Sequence, residues 1–360
     1  MIKKIAVLPG DGIGLEVTNQ AVKVLECIAT IFEHDFAFEE AFVGALAIDA
    51  TGNPFPSETE EVCRRADAIL FGAIGDPKYD NDPKAKVRPE QGLLSMRKKL
   101  GLYANVRPVS SYDALLPISP LKEDIIKGAD FIVFRELTGG IYFGQPRGRS
   151  EDGNSAFDSC TYTREEILRV SKLAFEAAKN RNGRVTLVDK ANVLATSRLW
   201  RETVQEFSKN YPDIELDFMF VDNAAMKLIQ DPRYFDVVLT ENMFGDILTD
   251  EASVISGSLG MLPSASIGST QSLYEPIHGS YPQAAGKNIA NPFGAILSAA
   301  MLLEYSFGMH EESRLIQKAV TQALNDGFVT EDINSKEAMA TSEVGDRIVR
   351  VMEEMATINS

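Results

Sequence analysis

The chain has 360 residues, 44% of them apolar and 24% charged, the make-up of a globular protein long enough for two domains. A formal net charge of −16 disfavours a nucleic-acid or anionic-membrane partner, and an anionic substrate would need a local cluster of arginines. Three widely spaced cysteines (Cys27, Cys63, Cys160), an apolar start cut short by Pro9-Gly10-Asp11, and no run able to span a bilayer predict a cytoplasmic protein.

Lys4 to Leu8 reads as a buried strand ending in Pro9-Gly10-Asp11-Gly12-Ile13-Gly14, with an amphipathic helix from about Glu16 to Phe32. The spacing is G-x-G-x-G, and Leu15 stands where the G-x-G-x-x-G fingerprint has its last glycine. No acidic residue closes a second strand at the right distance, so this is not a Rossmann fingerprint. A tight turn that brings backbone close to a ligand remains open. Ala68 to Ala73 is a second strand, running into a proline-punctuated loop from Gly75 to Pro89. From Glu90 the pattern is helical through Leu93, Leu94 and Arg97, and Asn105-Val-Arg107-Pro108 is an extended entry into another unit.

Phe131 to Phe134 is a strand ending in Arg135-Glu136. The Gly-, Ser- and Asp-rich segment from Gly139 to Thr161 looks like a protruding arm. Thr163 to Asn180 is an amphipathic helix opened by the capping box Thr163-Arg-Glu-Glu166. Three strand–helix units follow, with strands ending at Asp189-Lys190, Asp222-Asn223 and Glu241-Asn242. Ligands of open α/β sheets lie beyond the carboxyl ends of strands, so these polar tips are expected to converge. After the third strand, Asp246 and Asp250 fall one turn apart on one helix face. Two such like charges suit a hard divalent cation; a solvated acidic first turn is the alternative. The stretch Glu275 to Pro292 is rich in glycine and asparagine and precedes a long apolar helix, Phe293 to Tyr305, an arrangement suited to phosphates.

Several blocks resemble one family. They are Glu90-x-x-Leu93-Leu94-x-x-Arg97, Arg107, Arg135-Glu-Leu-Thr-Gly-Gly-Ile-Tyr142-Phe-Gly, Asp189-Lys190-Ala-Asn-Val193, Asp222-Asn-Ala-Ala-Met226, Asn242-Met-Phe-Gly-Asp246-Ile-Leu-Thr-Asp250-Glu, and His278-Gly-Ser through Asn291-Pro292. In order and spacing they are similar to the 3-isopropylmalate dehydrogenases, among the β-decarboxylating dehydrogenases that also include enzymes of isocitrate, homoisocitrate and tartrate. The resemblance implies an α/β, isopropylmalate dehydrogenase-like two-domain fold with a large mixed or parallel sheet flanked by helices, not a Rossmann fold. It implies a discontinuous cofactor domain (1–104 and 257–360) and a substrate, metal and dimerisation domain (105–256) bearing the arm at about 139–161.

The implied chemistry is oxidation of the 2-hydroxyl of 3-isopropylmalate with NAD, then loss of the 3-carboxylate as carbon dioxide, a step of leucine biosynthesis. Arg97, Arg107 and Arg135 would hold carboxylates by bidentate pairs, with Asp222, Leu93, Leu94 and Val193 also at the substrate. Asp222, Asp246 and Asp250 would hold Mg²⁺ or Mn²⁺, and a monovalent cation is a further implied cofactor. Lys190 would be the base and Tyr142 would help supply the proton to carbon. The cofactor is assigned to Ile13, Gly75, Glu90, Glu275, His278, Gly279, Ser280, Gln283, Gly286, Asn288 and Asn291, His278 near the adenine. The implied partner is a second copy of the chain, whose Lys190 and Asp222 reach into the first copy's site. Where many members carry an aspartate for the adenosine ribose this chain has Gln283, yet Gln283-Ala284 is not the Lys-Tyr pair of NADP users, and NAD is expected. A sister dehydrogenase is the nearest alternative, opposed by Leu93-Leu94; a regulatory subunit without catalysis is opposed by intact Lys190 and Tyr142.

Overall fold

A computed structural model describes residues 2–80 and 87–359, so part of the expected Gly75–Pro89 loop (81–86) lies outside the described residues. Strands β1 (Lys3–Gly10), β2 (Phe36–Glu40), β3 (Ala68–Ala73), β4 (Leu102–Ser110), β5 (Asp130–Glu136), β6 (Arg147–Arg149), β7 (Ala156–Asp158), β8 (Arg184–Asp189), β9 (Glu215–Phe220), β10 (Val237–Thr240), β11 (Pro263–Gly268) and β12 (Ser272–Pro276) are separated by helices except at the consecutive pairs β6–β7 and β11–β12. The chain divides into two compact units: Met1–Leu102 with Tyr112–Ile118 and Ser256–Ser360, and Tyr103–Ser111 with Ser119–Ile255. Nothing in the sequence reading anticipated the assignment of Tyr112–Ile118 to the first unit.

In the first unit the strand order is β2-β1-β3-β12-β11, parallel except for the antiparallel pair β11–β12. Strands covered on both faces read as unbroken apolar runs, and β3 is buried along its whole length. The helix Gly14–Ile31 buries Val17, Ala21, Val24, Leu25 and Ile28, a stripe at helical spacing. The helix Phe293–Phe307 buries every residue from Phe293 to Leu303 and forms the centre of this core.

The second unit orders its strands β4-β5-β10-β8-β9, with only β4–β5 antiparallel. The helix Arg164–Lys179 begins with the predicted box: Thr163 accepts from the Glu166 backbone, and the Glu166 side chain accepts from the Thr163 backbone. The arm segment carries the exposed antiparallel hairpin β6–β7.

Arg135, Thr240 and Val188 are aligned across β5, β10 and β8, so their next residues Glu136, Glu241 and Asp189 stand in a row at the carboxyl edge. All three carboxylates are buried. Of the polar tips expected to converge, the carboxylates of Asp189 and Glu241 instead face the protein interior. Asp189 turns inward to a two-bond pair with Arg201 at 2.8 Å, and Glu241 accepts from Ser197 at 2.8 Å. Asp222 is not a strand tip at all: β9 stops at Phe220, and Asp222 lies exposed in the first turn of the helix Val221–Gln230.

Glu241 has the weakest compensation of the three, and burial pushes its carboxyl up to about 7, from an ordinary value of 4.5. A carboxyl raised on folding stabilises the fold fully below 4.5 and progressively loses that contribution as pH rises to 7. Glu241→Gln, which keeps an acceptor for Ser197 but does not titrate, is expected to flatten this slope and gain about 2–3 kcal/mol over the parent at pH 8. Parallel melting-temperature profiles for both proteins between pH 5 and 8 would refute it.

Candidate active site

Within the second unit five expected site residues meet. Asp246 and Asp250 occupy successive turns of the helix Asn242–Ala252. Arg135 comes from β5 with a 5% exposed side chain, and its Nη1 lies 2.5 Å from Asp246 Oδ1. The Tyr142 hydroxyl donates to Asp246 Oδ2 at 2.9 Å. Arg107, from the adjacent strand β4, donates Nη1 to Thr249 Oγ1 at 2.5 Å and approaches Asp250 Oδ1 at 3.4 Å. The helix can sit this close because position 245 is glycine: a Cβ there would stand 2.6 Å from Cγ of Arg135. Burial, then the bond to Asp246, raise the Tyr142 phenol above its usual range, so it holds its proton at neutral pH.

The repulsion between Asp246 and Asp250, taken above to call for a cation, is relieved by Arg135 and Arg107. Oxygen donors still fit a hard divalent ion, and the Asp250 side chain is 71% exposed. Among the described residues, however, no three His, Cys, Asp or Glu side chains cluster as a metal site. The third expected carboxylate lies elsewhere: Asp222 Oδ1 accepts from Lys190 Nζ at 2.5 Å, and this bond holds it below the ordinary carboxylate range. Val193, 62% exposed, donates its N–H to the Lys190 carbonyl. The expected set therefore forms two groups in one chain, Arg107, Arg135, Tyr142, Asp246 and Asp250 in one, Lys190, Asp222 and Val193 in the other.

The first unit gathers several expected cofactor residues. Ile13 N–H donates to the Ser280 carbonyl at 2.8 Å, and a Cβ on Gly75 would lie 3.1 Å from Glu90 Oε1 and 3.4 Å from Ser280 Oγ. The glycines of the Gly10–Gly14 turn serve the chain's own packing. A Cβ at Gly10 would meet Ala73 O at 1.9 Å, and one at Gly12 would meet Ser280 O at 2.0 Å. Asp11, not singled out from sequence, accepts from the N–H groups of Ala45, Leu46 and Gly75 and ties this turn to the helix Gly44–Thr51.

Glu275 pairs with Arg97 Nη2 at 3.3 Å, and Arg97 Nε is buried with no hydrogen-bond partner. Leu93 is half-buried and Leu94 is 49% exposed, both on the Arg97 face of the helix Glu90–Lys99. Burial lowers the pKa of His278, whose Nδ1 contacts Gly279 O at 2.9 Å. Gly286 N–H donates to Glu16, and Gln283 is exposed. The amides of Asn288 and Asn291 are engaged by the fold: Asn288 holds Ser342 at the start of the helix Thr341–Asn359, while Asn291 accepts from Phe293 N–H and donates to Asp332.

Asn242 and Thr249 are further site residues that periodicity could not single out. The sequence places Asn242 at a strand end and at the head of a family block, without a role of its own.

A family model for isocitrate/isopropylmalate dehydrogenase matches residues 4–348. A 3-isopropylmalate dehydrogenase of Bacteroides fragilis is 56% identical over 348 residues, 96% of this chain and 98% of that protein. One from Priestia megaterium is 53% identical, covering 100% of this chain and 98% of its own length. Among solved structures, an isocitrate dehydrogenase from Methylococcus capsulatus superposes with a TM-score of 0.84 at 33% identity, covering 97% of this chain and 99% of that one. A β-decarboxylating dehydrogenase from Thermococcus kodakarensis gives 0.84 at 36% identity, covering 99% and 98%. Sequence, fold and the grouped arginines and aspartates agree, and the chain belongs to the isocitrate/isopropylmalate dehydrogenase family.

Proposed function

We propose that this chain is a 3-isopropylmalate dehydrogenase, oxidising and decarboxylating 3-isopropylmalate to 4-methyl-2-oxopentanoate in leucine biosynthesis, with NAD and Mg²⁺ or Mn²⁺. The observation that carries this reading is the exposed Leu94 with Leu93 beside Arg97, an apolar surface next to a cation, in a chain whose relatives of that name are more than half identical. Arg97, Arg107 and Arg135 hold the two carboxylates, and Leu93 and Leu94 take the isopropyl group. Asp246 and Asp250 would hold the divalent ion, which would supply positive charge to stabilise the developing charge on the 2-oxygen, and the first unit's residues would hold the nicotinamide, which would supply the hydride acceptor for C2. Lys190 accepts the hydroxyl proton. After the C3–carboxylate bond breaks, C3 needs a proton, and Tyr142, whose phenol is held above its usual range and so stays protonated, gives one. The first-unit residues assigned above to the cofactor bind NAD, and the second unit supplies the metal and dimer contacts.

Lys190 and Asp222 pair with each other and not with the Asp246 group, and no three carboxylates cluster as a metal site among the described residues, which supports a homodimer in which each copy lends Lys190 and Asp222 to the other. Lys190→Met and Asp246→Asn homodimers should each be nearly inactive. Refolded together, tagged heterodimers are expected to recover about half the parental activity, because one of two sites collects both lesions. Heterodimers as inactive as their parents would place both residues in one chain's site.

Serine at both Leu93 and Leu94 should lower kcat/KM for 3-isopropylmalate far more than for malate, since pocket methylenes are worth about 1–3 kcal/mol each. Equal losses on both acids would remove the pocket assignment. NAD should outperform NADP in the unmodified protein, and Lys-Tyr at Gln283-Ala284 should shift preference towards NADP; equal efficiency at the outset would contradict the cofactor reading.

A further inference from the structure

We infer that Asn242 is a positioning residue that sets Arg135 and the Tyr142 turn together through one buried amide, an inference that rests on the roles proposed above for those two residues. Asn242 is 1% exposed and opens the helix that carries Asp246 and Asp250. Its Oδ1 accepts from both Nε, at 3.1 Å, and Nη2, at 2.7 Å, of Arg135. Its Nδ2 donates to the Gly139 carbonyl at 3.1 Å, three residues before Tyr142. Its backbone N–H donates to the Tyr162 hydroxyl at 2.9 Å.

These partners fix the amide's orientation, since only an oxygen suits the arginine fork and only a donor suits the carbonyl. With Nε and Nη2 held, the guanidinium plane cannot rotate, and Nη1 is directed at Asp246. The Tyr142 turn is pinned from two sides. Asn242 holds the Gly139 carbonyl, and the Tyr162 ring fills the space above both glycines, where a Cβ on Gly140 would fall 2.2 Å from the Tyr162 oxygen. Glu136 completes the turn, accepting from Thr138 N–H at 2.9 Å and Gly139 N–H at 2.7 Å. The helix bearing the aspartates, the carboxylate-binding arginine and the proton-donating phenol thus share one fixed point. Neither Asp nor Leu at this position reproduces both contacts. Aspartate at this position keeps an acceptor for Arg135 but sets an oxygen against the Gly139 carbonyl.

The test is a double-mutant cycle in the full-length protein. Asn242→Ala should lower kcat/KM about 100-fold, the scale of a misplacement of roughly 1 Å. On an Arg135→Lys background, which has already lost the fork but keeps the Gly139 contact, the further loss should shrink to roughly 10-fold, the part carried by the Tyr142 turn. Asn242→Asp, nearly isosteric, serves in the same cycle if the alanine variant does not fold. Its crystal structure should show the Gly139 carbonyl turned away and the Tyr142 hydroxyl displaced from Asp246. Additive losses, an undiminished kcat/KM, or an unmoved turn would each overturn the inference. The cycle is run on whichever 2-hydroxy acid the parent protein oxidises, so failure on 3-isopropylmalate alone refutes the substrate reading and leaves this one standing or falling by itself.

Discussion

A guanidinium held at the end of a buried strand is tolerable only if each donor finds an acceptor and its charge is balanced. Arg135 meets that condition with a side chain 5% exposed, giving two nitrogens to the Asn242 amide and one to Asp246. The rest of the group follows from it. Asp246 is drawn to the strand end and can then receive the Tyr142 hydroxyl; Arg107, on the next strand, reaches the following turn of the same helix at Thr249 and Asp250. An anionic ligand would meet cations whose orientation is already fixed, which is what preorganised electrostatic sites require.

Much of this was legible in the sequence, because apolar runs and helical spacing report burial directly. Ala68–Ala73 has the expected bounds, Arg184–Asp189 ends where expected, and the Thr163 capping box forms with both of its bonds. The pairing of Asp246 and Asp250 on one helix face follows from a spacing of four residues. What periodicity does not encode is which way a polar residue at a strand end turns. Asp189 and Glu241 were read with Asp222 as one converging set, yet the first two are internal anchors for Arg201 and Ser197. Only register and burial distinguish them. The Gly10–Gly14 turn was ambiguous for a related reason: glycine marks close approach, but the approaching atoms here are Ala73 and Ser280 of the chain itself.

The same division between holding the fold and meeting a ligand runs through the first unit. Asn288 and Asn291 belong to a stretch suited to phosphates, and their amides nevertheless organise the starts of the helices Thr341–Asn359 and Phe293–Phe307. Arg97 is different. It has one moderate contact to Glu275 and a buried Nε left over, so its hydrogen-bonding capacity is incompletely used by the fold. Exposed Leu94 beside it adds apolar surface that the fold also leaves unused.

Gly245 makes the proximity of helix and arginine possible without offering a single polar atom of its own side chain. In a library of random variants, selection at this codon would look like selection at a ligand-contacting residue, since even a methyl group must move either Arg135 or the helix that carries the aspartates. A directed-evolution campaign that spares only residues near bound substrate would spend much of its diversity on sequences already lost at this one position. Conversely, the codon offers a means of tilting the aspartate helix by fractions of an ångström while every polar group of the site keeps its native identity.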